Sequence, residues 1–160
     1  MLSGWQTVAL SFGVAFLTGS FAILGAWLNS RTQRRVALLN IEAQEREQLR
    51  VRRVEAASDF SKRFTGASDA VRWAIGHRDD SDAVNKASHL TGEVTPLLGP
   101  LSLLFRSGSD AEQAARAAFD HLRRAAEAVK TRDYEGAEES LAESNATRER
   151  FEQAVLKVIG

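Results

Sequence analysis

Residues 5–28 read WQTVALSFGVAFLTGSFAILGAWL, a run of 24 without one charged side chain. At about 1.5 Å of rise per residue, such a run wound into a helix is about 36 Å long. It covers a hydrocarbon core of about 30 Å with some tilt. Trp5 and Trp27 stand at its two ends, where indole rings favour the headgroup layer. A buried helix of a soluble protein is the competing reading, but it seldom needs an uncharged run of this length. A cleaved signal peptide would need a basic leader and a shorter apolar core, whereas residues 1–4 bring no charged side chain. The segment is therefore expected to be an uncleaved transmembrane helix.

Orientation follows from the arginines. Arg31, Arg34 and Arg35 come directly after the run and nothing basic precedes it. The positive-inside rule then puts residues 1–4 outside and everything from residue 29 onward in the cytoplasm, a single pass through a plasma (inner) membrane. These three arginines, with Trp5 and Trp27, are the expected membrane-interface residues, the arginines against anionic headgroups. Inside the run, Ser11, Ala15 and Gly19 are spaced four apart, and Ala22 and Ala26 continue a nearby face. Small residues at this spacing let two helices pack closely, although they are also common in any membrane helix, so both readings stay open.

The remainder reads as helix almost throughout. It holds few breakers, with 2 Pro in 160 residues and no Gly between residues 29 and 65. Residues 29–50 form an expected basic stalk, polar around most of its circumference, with apolar residues clustered at Val36, Leu38, Leu39 and Ile41. Residues 51–160 form an expected bundle. Its first stripe is Val54, Ala57, Phe60, Phe64, Ala67, Val71 and Ile75, in steps of three and four. After Gly76 and HRDDSD, Ser81 or Asp82 is positioned to cap a second helix, with Val84, Ala87, Leu90 or Thr91, and Val94 inward. Pro96 should end or kink it. Gly99-Pro100 reads as a stop and a new start within the apolar patch Leu97 to Phe105, expected as a short helix at one end of the bundle. Ser109 with Glu112 is a capping-box pair opening a third long helix, with Ala111, Ala115, Ala118, Leu122, Ala125 and Val129 inward. Asp133 is expected to cap a fourth, through Tyr134, Ala137, Leu141, Phe151, Val155 and Val158. The link 131–133 is so short that these last two helices must be antiparallel neighbours.

Charge excludes some functions. Lys+Arg and Asp+Glu both number 21, against the basic excess of a nucleic-acid binder. Residues 31–63 carry nine basic and five acidic side chains and residues 133–152 two basic and seven acidic, so pairing between the first and last helices is expected for Arg46 to Arg63. There is no Cys, so disulfides, thiolate metal sites and a cysteine nucleophile are excluded.

The segments Arg31 to Arg35, ASDFSKRFTGASDAVR, the corner Leu97-Leu98-Gly99-Pro100 and AEQAARAAFDHL together resemble a recurrent type of small actinobacterial single-span membrane protein of unknown function. The resemblance implies an anchor plus a helical bundle in a bacterial plasma membrane, and no active site. DYEGAEESLAES resembles half of a tetratricopeptide unit, but no second copy follows at about 34 residues, so it reads as an ordinary helix hairpin.

Motifs for chemistry are scarce. His89 and Glu93 have a metal-compatible spacing, yet two ligands do not make a site. His77 beside Asp79 and Asp80 reads as a solvated turn, His121 stands alone, and Glu138 and Glu139 belong to a solvated face. No nucleophile elbow, phosphate loop or HExxH occurs. No catalytic, cofactor-binding or metal residue is therefore assigned. The expectation is an all-α chain: one transmembrane helix continuing into a cytoplasmic antiparallel bundle of about four helices. It is expected to serve as a non-enzymatic interaction, scaffolding or accessory subunit, with the lipid bilayer and a second copy or a membrane protein as partners. Two alternatives remain: a membrane-active effector (an oligomeric pore or phage-related exclusion protein) lined by Ser11, Thr18, Gly19 and Ser20, and a ligand-sensing bundle with a cavity under Leu97 to Phe105.

Overall fold

The computed structural model describes residues 4–159, with side chains from residue 29 onward. The expected span 5–28, with Trp5, Trp27 and the small positions Ser11, Ala15, Gly19, Ala22 and Ala26, lies outside the residues whose side chains are described. Among the described residues no helix is long and apolar enough to cross a membrane, and there is no strand. The elements are α1 (Gly4–Gly76), α2 (Ser81–Val94), a 3₁₀ turn (Thr95–Leu97), α3 (Leu98–Leu104), α4 (Asp110–Lys130) and α5 (Tyr134–Ile159). The chain divides into two compact units, Met1–Glu47 and Gln48–Gly160.

In the first unit, residues 29–47 are exposed on every face of the helix, Arg34 and Arg35 included. Arg46 lies 3.9 Å from Glu42 one turn back, a solvated pair that contributes little. Val36, Leu38, Leu39 and Ile41 are all at least half exposed.

The second unit is a helical bundle. Ala57, Phe60, Phe64, Ala67, Val71 and Ile75 of α1 are buried, as the three-and-four spacing predicts. Val54, expected in the same stripe, is 46% exposed; the core begins one turn later. The centre is aromatic: Phe151 meets Phe60 at 5.0 Å and Phe105 at 6.4 Å, both edge-on, while Phe64 lies tilted against Phe60 at 5.6 Å. Edge-on contacts set the positive ring rim against the negative face of the neighbour. These rings join α1, the end of α3 and α5.

The turn after α1 differs from expectation in its cap. Asp80, not Ser81 or Asp82, is the N-cap of α2, its Oδ1 accepting from the amides of Asp82 (2.9 Å) and Ala83 (3.2 Å). An extended backbone at Asp80 aims its carboxylate at the unpaired first-turn amides, and the helix dipole adds to the attraction. Ala83, Ala87, Thr91 and Val94 are then buried. Thr91 is the inward member of the Leu90/Thr91 choice, and its hydroxyl donates to the Ala87 carbonyl at 2.8 Å, so burial leaves no orphan donor.

Pro96 ends α2, as its missing amide requires. The stop and restart expected at Gly99-Pro100 therefore falls earlier: the chain re-enters helix at Leu98, and Gly99 and Pro100 lie in the first turn of α3, where a missing amide costs nothing. Arg53 Nε donates to the Leu104 carbonyl at 2.8 Å, covering an orphan acceptor at the end of α3.

Ser109 caps α4 by accepting from the Glu112 amide at 3.3 Å, and all six expected inward residues of α4 are buried, joined by Phe119 and Ala126. Alanine lets α5 approach closely enough for the Ser144 hydroxyl, itself fully buried, to donate to the Ala118 carbonyl at 2.9 Å. The α4–α5 link ends in a Schellman arrangement, with Asp133 N–H to Ala128 O at 2.9 Å and Arg132 N–H to Val129 O at 3.1 Å. Arg132 takes the left-handed position at φ 61°, where glycine is usual. Asp133 then accepts from the Gly136 amide at 3.0 Å, and a Cβ at residue 136 would collide with its carboxylate. Ala137, Leu141, Phe151 and Val155 of α5 are buried, but Val158, expected inward, is 46% exposed.

Candidate functional site

Glu112 is the one charged residue buried among those described, at 5% exposed. Its carboxylate accepts from the Arg116 guanidinium one turn on, from the Gly108 amide at 3.3 Å and from the Ser102 hydroxyl at 3.2 Å. Arg116 Nη2 reaches the same hydroxyl at 3.2 Å. The hydrogen bond from Arg116 does most to hold the Glu112 carboxyl below its usual range; burial opposes it, and Gly108 and Ser102 assist. An ionised carboxylate with its lone pairs occupied has little capacity left as a proton carrier. It ties α3 and the 105–109 loop to the start of α4.

The three histidines fall into separate settings. His89 Nδ1 lies 3.7 Å from Glu93 Oε1, and the other oxygen of Glu93 faces Arg63 at 3.5 Å. The metal-spaced pair is thus part of an exposed ion cluster joining α1 to α2. Of the arginines expected to pair with the acidic last helix, Arg63 instead faces Glu93 of α2, and Arg46 faces Glu42 on its own helix. His77 stacks on Trp73 at 3.7 Å, and its Nδ1 lies 3.0 Å from the Trp73 carbonyl. His121 Nδ1 stands 2.8 Å from Glu143 Oε2, a close approach between α4 and α5. Among the described residues no group of three or more His, Asp or Glu side chains is arranged to hold a metal.

Among the described residues the bundle surface carries several open grooves, two of which matter here. One, about 420 Å³, runs between α4 and α5 over Ala114, Ala117 and Ala154, with Asp110, Arg150 and Lys157 at its rim. The other, about 330 Å³, runs between α1 and α2 with Trp73 as a wall. Trp73 is 57% exposed, and sequence reasoning passed over it because it lies off the apolar stripe. The patch Leu97 to Phe105, considered as a ligand pocket, divides: Leu101 and Phe105 are core, while Leu103 is 87% exposed. Comparison with protein-family models, curated proteins and solved structures returned no match for this chain.

Proposed function

We propose that this chain is a membrane-anchored, non-catalytic interaction module, held in a bacterial plasma membrane by residues 5–28 and acting through its cytoplasmic helical unit. The observation that carries the reading is large apolar surface left uncovered on otherwise well-formed helices: Val36, Leu38, Leu39 and Ile41 within six residues of α1, and Trp73 beside a groove. Exposed aromatic and aliphatic side chains beside a concave surface are the usual anchors of protein contacts. The polar groups fit the same view, since Glu112, His121 and Glu93 all tie one part of the bundle to another. On this reading Arg31, Arg34 and Arg35 lie against anionic headgroups and the small residues of the span pack against a neighbouring helix. The chain would then belong with the small actinobacterial single-span proteins it resembles.

The test combines topology and partners. Because the chain has no native cysteine, Ser3→Cys and Ser107→Cys can be labelled singly in intact cells with an impermeant thiol reagent. Labelling at residue 3 alone is expected, with a defined homo- or hetero-complex after gentle detergent extraction. Extraction of the protein without detergent would remove the anchor from the reading. Ion conductance or dye release from vesicles carrying the chain would replace the interaction role with the membrane-active one.

A further inference from the structure

The α1–α2 groove is its own complement, and from this we infer that two copies of the chain pair face to face through it. The inference rests on the interaction reading above and names its partner. The Arg63–Glu93 contact at 3.5 Å sets the register of the antiparallel α1–α2 pair. Counting equal helical rise along both helices from that contact places Gly66 level with Leu90, Asp69 within about one residue of Lys86, and Trp73 level with Ala83, and all six line the groove. Each end of the groove therefore holds one large and one small residue, on opposite helices, and a Cβ at Gly66 would meet nothing within 4 Å.

Two copies meeting across this face can be related by a two-fold axis along the helices or across them. The axis across the helices brings Asp69 onto Asp69 and Lys86 onto Lys86. The axis along them lays α1 of each copy over α2 of the other. Trp73 then covers the second copy's Ala83, Leu90 covers its Gly66, and Asp69 meets its Lys86. Size and charge are satisfied together by this one arrangement. Asp69 already contacts Arg72 on its own helix at 3.4 Å, but both side chains are more than 60% exposed and the contact is easily exchanged. The groove extends about two helical turns, roughly 11 Å, short of a standard interface. The pairing is thus a weak one that a shared membrane concentrates.

The test is energy transfer between donor- and acceptor-labelled full-length chains in lipid vesicles, titrated by protein-to-lipid ratio. Asp69→Lys and Lys86→Glu are both at exposed positions, and helix content by circular dichroism checks that they fold. Each variant alone opposes like charges twice and is expected to weaken association about tenfold. A mixture of the two variants restores both pairs and is expected to regain the wild-type curve, while Trp73→Ala loses association without rescue. A mixture no stronger than either variant alone overturns the pairing. Wild-type copies that do not associate overturn it too, while a co-purified partner protein would leave the interaction reading standing. If the chain proves not to be membrane-inserted, that reading fails, and the same mixing experiment at high concentration in solution still decides the groove.

Discussion

Replacing Glu112 by Gln removes a charge and almost no volume, which isolates the electrostatic part of the α3–α4 tie. In the native chain the carboxylate is 5% exposed and takes hydrogen bonds from Arg116, Gly108 and Ser102. A hydrogen bond to a charged group contributes about 1.5–3 kcal/mol when desolvated. The Arg116 side chain is 54% exposed, so its share is screened and discounted to well under about 1 kcal/mol. The Gly108 amide can still bond to the glutamine oxygen, more weakly. The first turn of α4 also loses a negative charge beside its unpaired amides, about 0.5 kcal/mol. Together these give an expected loss of about 1–1.5 kcal/mol at neutral pH. The sign with pH is fixed by the direction of the shift. Because the folded Glu112 carboxyl sits below its usual range, its stabilisation is fully present above the unfolded value of about 4.3. It is lost as the pH falls through the lowered folded value. Chemical denaturation of the full-length chain in mild detergent, followed by circular dichroism from pH 7 to pH 3, should show the wild type ahead of E112Q at neutral pH. The two should converge at the acid end. A gap that stayed constant across that range would refute the assignment of an ionised, hydrogen-bonded Glu112.

Four further outcomes follow from particular contacts. Asp80→Ala should cost about 1 kcal/mol of unfolding free energy through loss of the α2 cap, whereas Ser81→Ala should be nearly silent; equal effects would return the cap to the chain position the sequence suggested. Arg132→Gly should stabilise by about 0.5–1 kcal/mol by relieving a left-handed backbone, read as a raised denaturation midpoint. Phe60→Ala, at the ring cluster, should lose about 3–5 kcal/mol, and near-equal midpoints would place that cluster outside the cooperative core. Gly136→Ala should destabilise although it replaces a poor helix former, because the added Cβ displaces the Asp133 cap; a gain in melting temperature would contradict that geometry.

Much of the bundle was legible in the chain because helical burial is periodic. The spacing of Phe60, Phe64, Ala67 and Val71, and of Ala111, Ala115, Ala118 and Leu122, named buried faces that the structure also buries. The short 131–133 link and the Ser109 cap were readable for the same reason, since both depend on neighbours within a turn or two. The errors lie where one turn had several candidates. Asp80, Ser81 and Asp82 are all good caps, and only the extended backbone at Asp80 chooses among them. Pro96 and Gly99-Pro100 are both breaks, and the early one wins because prolines in a first turn are harmless. Val54 and Val158 continue a correct period beyond the point where a partner helix covers it.

The sequence by itself determined the all-helical class, the charge-free segment 5–28 with its flanking arginines, and the inward faces of the long helices. These follow from composition and from spacings within a single helix. The tertiary structure decided everything that depends on which helices are neighbours. It turned Glu112 from a capping residue into a buried tie and sent Arg63 to Glu93 rather than to the acidic last helix. It also left Trp73 exposed as the wall of a groove. Such contacts join residues far apart in the chain, and no local spacing encodes the register in which two helices meet.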